Sequence, residues 1–169
     1  MSGARFIDNN QILSCSGDSS ILLWDIERGS PIRAFKGHLA DVECIDINKD
    51  KSIFVSGSID ATAKVWDYRN KDAIFTFKGH HSDINCVSWF PDGNAFATGS
   101  DDATVRLFDL KACQQMNCYQ NEDIYASVMD ITFSKSGYYL LTAYDEEPFC
   151  VAWNTMTAGM CYSLGDCGT

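Results

Sequence analysis

One small pattern, closed by an aromatic–acid pair, recurs along this chain at a fixed interval. Trp24-Asp25, Trp66-Asp67 and Phe108-Asp109 stand 42 residues apart, and a weaker fourth copy ends at Trp153-Asn154, 45 residues further on. Ten residues before each of the first three aromatics is a hydroxyl residue (Ser14, Ser56, Thr98), and six before it is an acid (Asp18, Asp60, Asp102). A period of this length marks a repeat architecture, in which one supersecondary unit stacks on copies of itself. Residues 1–169 then read as one array of repeats ending near Trp24, Trp66, Phe108 and Trp153.

Each unit holds four short runs of strand character. In the second repeat they fall at 42–47, 53–56, 62–66 and 73–77; in the third at 84–89, 95–98, 104–108 and 115–119. Val42-Glu43-Cys44-Ile45-Asp46-Ile47 places mainly apolar residues on one face and mainly polar ones on the other, the period of a strand. Turn residues separate the runs, as in Asn48-Lys49-Asp50 and Pro91-Asp92-Gly93-Asn94. A repeated four-stranded unit of this size is one blade of a β-propeller. A single sheet cannot bury both faces, so the blades need one another. The expected fold is all-β, with about four consecutive blades.

A net charge of −10 argues against nucleic acid as a partner, because Lys and Arg must neutralise phosphates. It also argues against adhesion to an anionic membrane. No apolar stretch approaches the ~20 residues a spanning helix needs, so no direct membrane insertion is expected. No basic-then-apolar leader follows Met1, and nothing suggests secretion. The eight cysteines, among them Cys44 and Cys86 at equivalent repeat positions, show neither CxxC pairs nor His at zinc-ligand spacing. They read as reduced thiols in a cytosolic setting. No metal and no cofactor are expected.

His38 and His80 each precede the first run of a repeat by a few residues and lie 28 residues before Trp66 and Phe108. That spacing can gather His38, Ser56, Asp60 and Trp66 into one polar network. The Asp fixes the imidazole tautomer, the ring meets the hydroxyl, and the hydroxyl accepts the indole N–H. Ser14, Asp18 and Trp24 are the matching groups of the first repeat. In the third, His80, Thr98 and Asp102 recur, but Phe108 has no N–H, so the network ends at Thr98. In the fourth no His stands near Asn121-Glu122, Ala143 falls where the hydroxyl is expected, and Glu146-Glu147-Pro148 lengthens a turn. That blade is expected to be the loosest. A Ser-His-Asp set also invites a hydrolase reading. Its recurrence once per repeat, without a G-x-S-x-G elbow, makes it structural, and no enzyme is expected.

Several longer runs are more specific than the repeat. Phe90-Pro91-Asp92-Gly93-Asn94, continuing through Thr98-Gly99-Ser100-Asp101-Asp102-Ala103-Thr104, resembles the β subunit of heterotrimeric G proteins, a WD40-repeat family. So do His81-Ser82-Asp83-Ile84-Asn85, Arg106-Leu107-Phe108-Asp109-Leu110 and Phe133-Ser134-Lys135-Ser136-Gly137. The Phe at position 108, odd for a WD repeat, is a feature of that family. The resemblance implies a WD40 β-propeller of seven blades after a long N-terminal helix. This sequence would start inside a blade and cover about four of the seven, an open arc that looks like a fragment, a truncated isoform or an incomplete gene model.

The resemblance further implies a signalling scaffold that binds the GDP-bound G protein α subunit, a γ subunit and effectors, with α and effectors competing for one face. That face would be built from residues 38–43, 80–85 and 100–103. The positions keeping the family residue are Asp41, Asp83, Asn85, Asp101 and Asp145. Four are carboxylates, suited to Lys or Arg of a partner. Asp and Asn also close turns, and for Asp60 and Asp102 turn chemistry is the better reading. Glu43 stands where the family has an apolar Met, and Met129 where a Thr is usual; a charge inside an apolar contact weakens it unless paired. Membrane association would come through the lipid of the γ partner, giving a cytoplasmic protein at the inner face of the plasma membrane. Cys167 is followed by only two residues, so it forms no C-a-a-X box. The alternatives are another WD40 interaction scaffold and a non-functional fragment that cannot close its ring.

Overall fold

The computed structural model describes residues 2–147 and 149–164; Pro148 of the lengthened turn and Cys167 lie outside these. Sixteen strands form four antiparallel sheets of four. The first comprises β1 (Gly3–Phe6), β2 (Gln11–Cys15), β3 (Ser20–Asp25) and β4 (Ser30–Lys36). The second comprises β5 (Val42–Ile47), β6 (Ile53–Ser58), β7 (Thr62–Asp67) and β8 (Ala73–Lys78). The third comprises β9 (Ile84–Trp89), β10 (Ala95–Ser100), β11 (Val105–Asp109) and β12 (Gln114–Tyr119). The fourth comprises β13 (Val128–Phe133), β14 (Tyr139–Tyr144), β15 (Cys150–Asn154) and β16 (Met160–Ser163). In each sheet the strands pair in chain order, as a meander. β1 makes the first sheet four-stranded from Gly3 onward, where the sequence places the chain's start inside a blade.

The strands of the second and third repeats lie where the alternation puts them, with ends differing by one or two residues. β6 and β10 run on through Gly57 and Gly99 to Ser58 and Ser100, because their ladders with β5 and β9 continue there. Each sheet shifts register between its third and fourth strands at the closing aromatic: Leu23/Trp24, Val65/Trp66, Leu107/Phe108 and Ala152/Trp153. Such bulges sharpen the local twist.

The first strands β1, β5, β9 and β13 pack side by side along the inside of the arc, while β4, β8, β12 and β16 form its outer edge. The core is not inside any one sheet. It forms three clusters, each shared by two neighbouring sheets: Leu13, Ile21 and Phe35 with Phe54 and Trp66; Val55 and Phe77 with Phe96 and Phe108; Leu107 and Tyr119 with Leu140 and Trp153. One aromatic near the end of each of β4, β8 and β12 reaches the next blade. Phe35 meets Phe54 edge-on at 5.0 Å, Phe77 meets Phe96 at 5.0 Å, and Tyr119 meets Trp153 at 6.1 Å. Such contacts add to the burial that dominates stability.

Candidate interaction rim

Antiparallel meanders bring the loops before the first strands and the turns between second and third strands to the same end of every sheet. In the second blade that end is built on a closed polar chain. His38 Nδ1 lies 2.9 Å from Asp60 Oδ2, His38 Nε2 lies 2.7 Å from Ser56 Oγ, and Trp66 Nε1 donates to Ser56 Oγ at 2.8 Å. A carboxylate only accepts, so Nδ1 carries the proton, Nε2 accepts from Ser56, and Ser56 accepts from the indole. Burial lowers the His38 pKa against the pull of Asp60, which keeps the ring neutral near pH 7. Burial also opposes the charge of Asp60, but bonds from Thr62, the Leu39 N–H and His38 outweigh it and hold this carboxyl at about 2.

The third blade repeats the frame one step short. His80 contacts Asp102 at 2.9 Å and Thr98 at 2.7 Å, and Phe108 offers no donor. Burial disfavours the Asp102 charge, yet His80, Thr104 and the His81 N–H hold this carboxyl far below the usual range. In the first blade Trp24 donates to Ser14 at 2.8 Å, and Asp18 accepts from the backbone and hydroxyl of Ser20. Each of these acids precedes a residue in the left-handed region, Ser19, Ala61 or Ala103, and bonds the residue after it.

The fourth blade departs from the sequence expectation. The hydroxyl partner of Trp153 is Thr142, not a vacancy at Ala143. Counting ten residues back from the aromatic fails here because the lengthened turn adds one residue between β14 and β15. By register Thr142 pairs with Ile131 as Ser56 pairs with Ile45, and Ala143 pairs with Asp130 as Gly57 pairs with Cys44. Ala143 is thus the counterpart of a glycine.

Above these frames lies a row of acids. Asp101 N–H donates to the Asp83 carbonyl at 3.0 Å, Ile59 N–H to the Asp41 carbonyl at 3.0 Å, and Asp145 N–H to the Ser127 carbonyl at 3.2 Å. These bonds fix the carboxylate-bearing residues at one end of successive blades. Asp101 and Asp145 are exposed; Asp41 and Asp83 are half-buried. Asn85 is already engaged. Its Nδ2 donates to Asp101 Oδ1 and, at 3.1 Å, to the Val128 carbonyl of the next blade. Glu43, Asn85 and Met129 occupy one position in successive blades and line a small cavity of ≈ 180 Å³ on the inside of the arc, together with Arg5 and Asp130.

The family model for the G protein beta WD-40 repeat protein matches residues 1–166. The chain belongs to the G protein β family of WD40-repeat proteins. It is 56% identical over 156 residues to the guanine nucleotide-binding protein G(I)/G(S)/G(T) subunit beta-1 of Homarus americanus, a match covering 92% of this chain and 46% of that relative. The chain therefore spans about half the length of the curated relative it matches. Its sheets are WD-repeat blades of a β-propeller, the architecture of a signal-transduction family.

The rim of this G protein β family member also carries residues that spacing alone does not single out. Leu39 and Tyr125 are 91% and 87% exposed and take the loop position of His81. Two large apolar side chains thus stand exposed on a polar rim. Their signal in the sequence is an apolar residue directly after His38, or two before the Ser127 that precedes an inner strand, where solvent is expected. Among the described residues, no group of three or more His, Cys, Asp or Glu is arranged to hold a metal ion. Nor is any helix among them long and apolar enough to cross a membrane.

Proposed function

We propose that this chain is a non-catalytic signalling scaffold of the G protein β type, whose acidic rim receives a basic surface of a GDP-bound G protein α subunit. The observation that carries this reading is the row Asp41, Asp83, Asp101 and Asp145 at one end of consecutive blades, in a chain of this family. Complementary charge speeds encounter and fixes orientation. Leu39 and Tyr125 supply apolar contact beside it. Effectors use the same face, so α and effectors exclude one another, and a γ subunit completes the assembly. The lipid of that γ partner holds a cytoplasmic protein at the inner face of the plasma membrane. Glu43 lines the inner cavity together with Asn85, whose amide bonds the rim acid Asp101, so its charge alters the inner edge of this face.

The test is titration of a purified GDP-loaded α subunit against the wild-type chain and against the double variant Asp83→Lys/Asp101→Lys. Affinity should drop by at least about tenfold, the order expected when like charges replace complementary ones. Binding that survives the reversal would show that the rim is not the contact.

A further inference from the structure

Cations are few on this acidic chain, yet five of its 13 Lys and Arg line two neighbouring spaces that make up a groove region on the outer wall near the junction of the first two blades. At the end away from the rim the groove runs between β4 and the loop before β8, where Arg33, Lys36 and Lys71 face a space of ≈ 510 Å³. A second space of ≈ 590 Å³ follows along the chain, lined by Gly37, the exposed Leu39, Lys64 and Lys78. The nearby acids are spoken for. Asp60 is bound to His38 and Thr62, and Asp67 is held by a paired contact with Arg69, which lowers its pKa to about 2. Arg33 is fixed across the groove by donating to the Arg69 carbonyl, and Lys64 by donating to Thr76 at 2.9 Å. Of the acids lining the groove, Asp72 is the one without such a bond among the described residues.

β4 is the terminal strand of its sheet, so every second backbone N–H and C=O along it points away from β3. Charges on an edge strand often serve only to discourage pairing with other chains. That reading does not fit here, because the outer strands β12 and β16 carry no Lys or Arg at all and β8 carries one. The cations are gathered at a single blade junction, and three of the five come from the blade facing β4 rather than from the edge strand.

We propose that this groove binds an extended acidic segment of a partner protein, which adds as a strand to β4 and sets alternate carboxylates against the facing wall of Lys64 and Lys71. Strand addition supplies affinity through the main chain and specificity through alternate side chains. β4 runs from Ser30 to Lys36, so its free edge pairs with about seven residues of such a segment, at the ~3.3 Å rise of a strand.

The experiment is fluorescence anisotropy of the full chain with a labelled peptide of about ten residues, alternating Glu and Val. Saturable binding is expected. It should weaken by at least about tenfold in Arg33→Glu/Lys71→Glu, and again as salt rises from about 50 to about 300 mM. A second variant, Lys64→Glu/Lys78→Glu, should act likewise, and the urea midpoint of each checks that it is folded. The same peptide N-methylated at alternate residues should lose binding, because it cannot complete the ladder. Asp83→Lys/Asp101→Lys should leave peptide binding unchanged, which separates this groove from the rim. Equal binding of a Lys–Val peptide, or indifference to both charge reversals or to N-methylation, would overturn the proposal. So would phosphatidylserine vesicles or duplex DNA binding in a manner sensitive to Arg33→Glu/Lys71→Glu while the acidic peptide does not bind.

Discussion

The indole N–H of Trp66 donates to Ser56 Oγ across 2.8 Å, and one blade on the ring of Phe108 makes no such bond to Thr98. The chain thus carries the frame with and without its last donor, but both copies keep the imidazole. The difference fixes an order of cost. Trp66→Phe removes one hydrogen bond and some buried volume while Ser56 keeps His38, a loss of about 2 kcal/mol. His38→Ala strips both Asp60 and Ser56 of their ring partner and leaves a cavity where the buried imidazole stood, about 3 kcal/mol or more. Urea unfolding of the two variants should rank them in that order. Equal midpoints would mean that the imidazole contributes nothing beyond its neighbours.

Acid should weaken the protein in two steps. The His38 pKa is lowered in the fold, so below an unfolded value of about 6.5 the unfolded chain takes up a proton that the native ring refuses. Its contribution is complete above that value and is lost as pH falls towards the native pKa. Asp60, held at about 2, contributes above an unfolded value near 3.9 and loses that contribution as pH falls further. Stability against urea should therefore drop first as pH falls below about 6.5, and His38→Gln should flatten that step alone. An unchanged first step in the variant would assign it to another group.

The blades were legible because their strands alternate and their turns carry Asp, Asn and Gly at a regular interval. The polar frame of the second blade follows from the same interval: His38, Ser56, Asp60 and Trp66 meet because a strand pair returns the chain to the same height. The fourth blade departs from the regular count for a simple reason. One extra turn residue moves the count by one, and in a strand a slip of one exchanges the two faces, so Ala143 appeared where Thr142 belongs. The grouping of Arg33, Lys36, Lys64, Lys71 and Lys78 was not visible in the sequence at all, because it joins the outer edge of one blade to the wall of the next.

Gly57 and Gly99 show how closely neighbouring blades approach. A Cβ at Gly99 would collide with Val128 of the next blade and with Cys86 Sγ, and one at Gly57 with Ile84 and Cys44 Sγ. Gly99→Ala should cost about 1–3 kcal/mol, as overpacking of a tight core does. The counterpart Ala143 is half-buried, so Ala143→Gly should cost no more than about 1 kcal/mol, the backbone-entropy penalty alone. Thermal unfolding of both decides the matter. Similar small losses would mean that the third and fourth blades separate easily enough to admit a methyl group.

Asn85 ties the rim to the fold by donating to Asp101 Oδ1 and to the Val128 carbonyl of the following blade. Asn85→Ala should cost about 1–2 kcal/mol, since both acceptors lose a donor while water reaches the exposed Asp101. Asn85→Asp is the sharper probe. It sets a second carboxylate against Asp101, and two such groups at contact distance raise the pKa of the pair above the unfolded values. Stability gained by sharing a proton is then present at low pH and is lost as pH rises through the raised pKa. The deficit of Asn85→Asp relative to wild type should therefore be largest at pH 7 and shrink as pH falls through the carboxylate range, while that of Asn85→Ala stays nearly constant. Urea titrations of the three proteins across that range give the comparison. A pH-independent deficit in Asn85→Asp would show that Asp101 turns away from position 85 when the amide is removed.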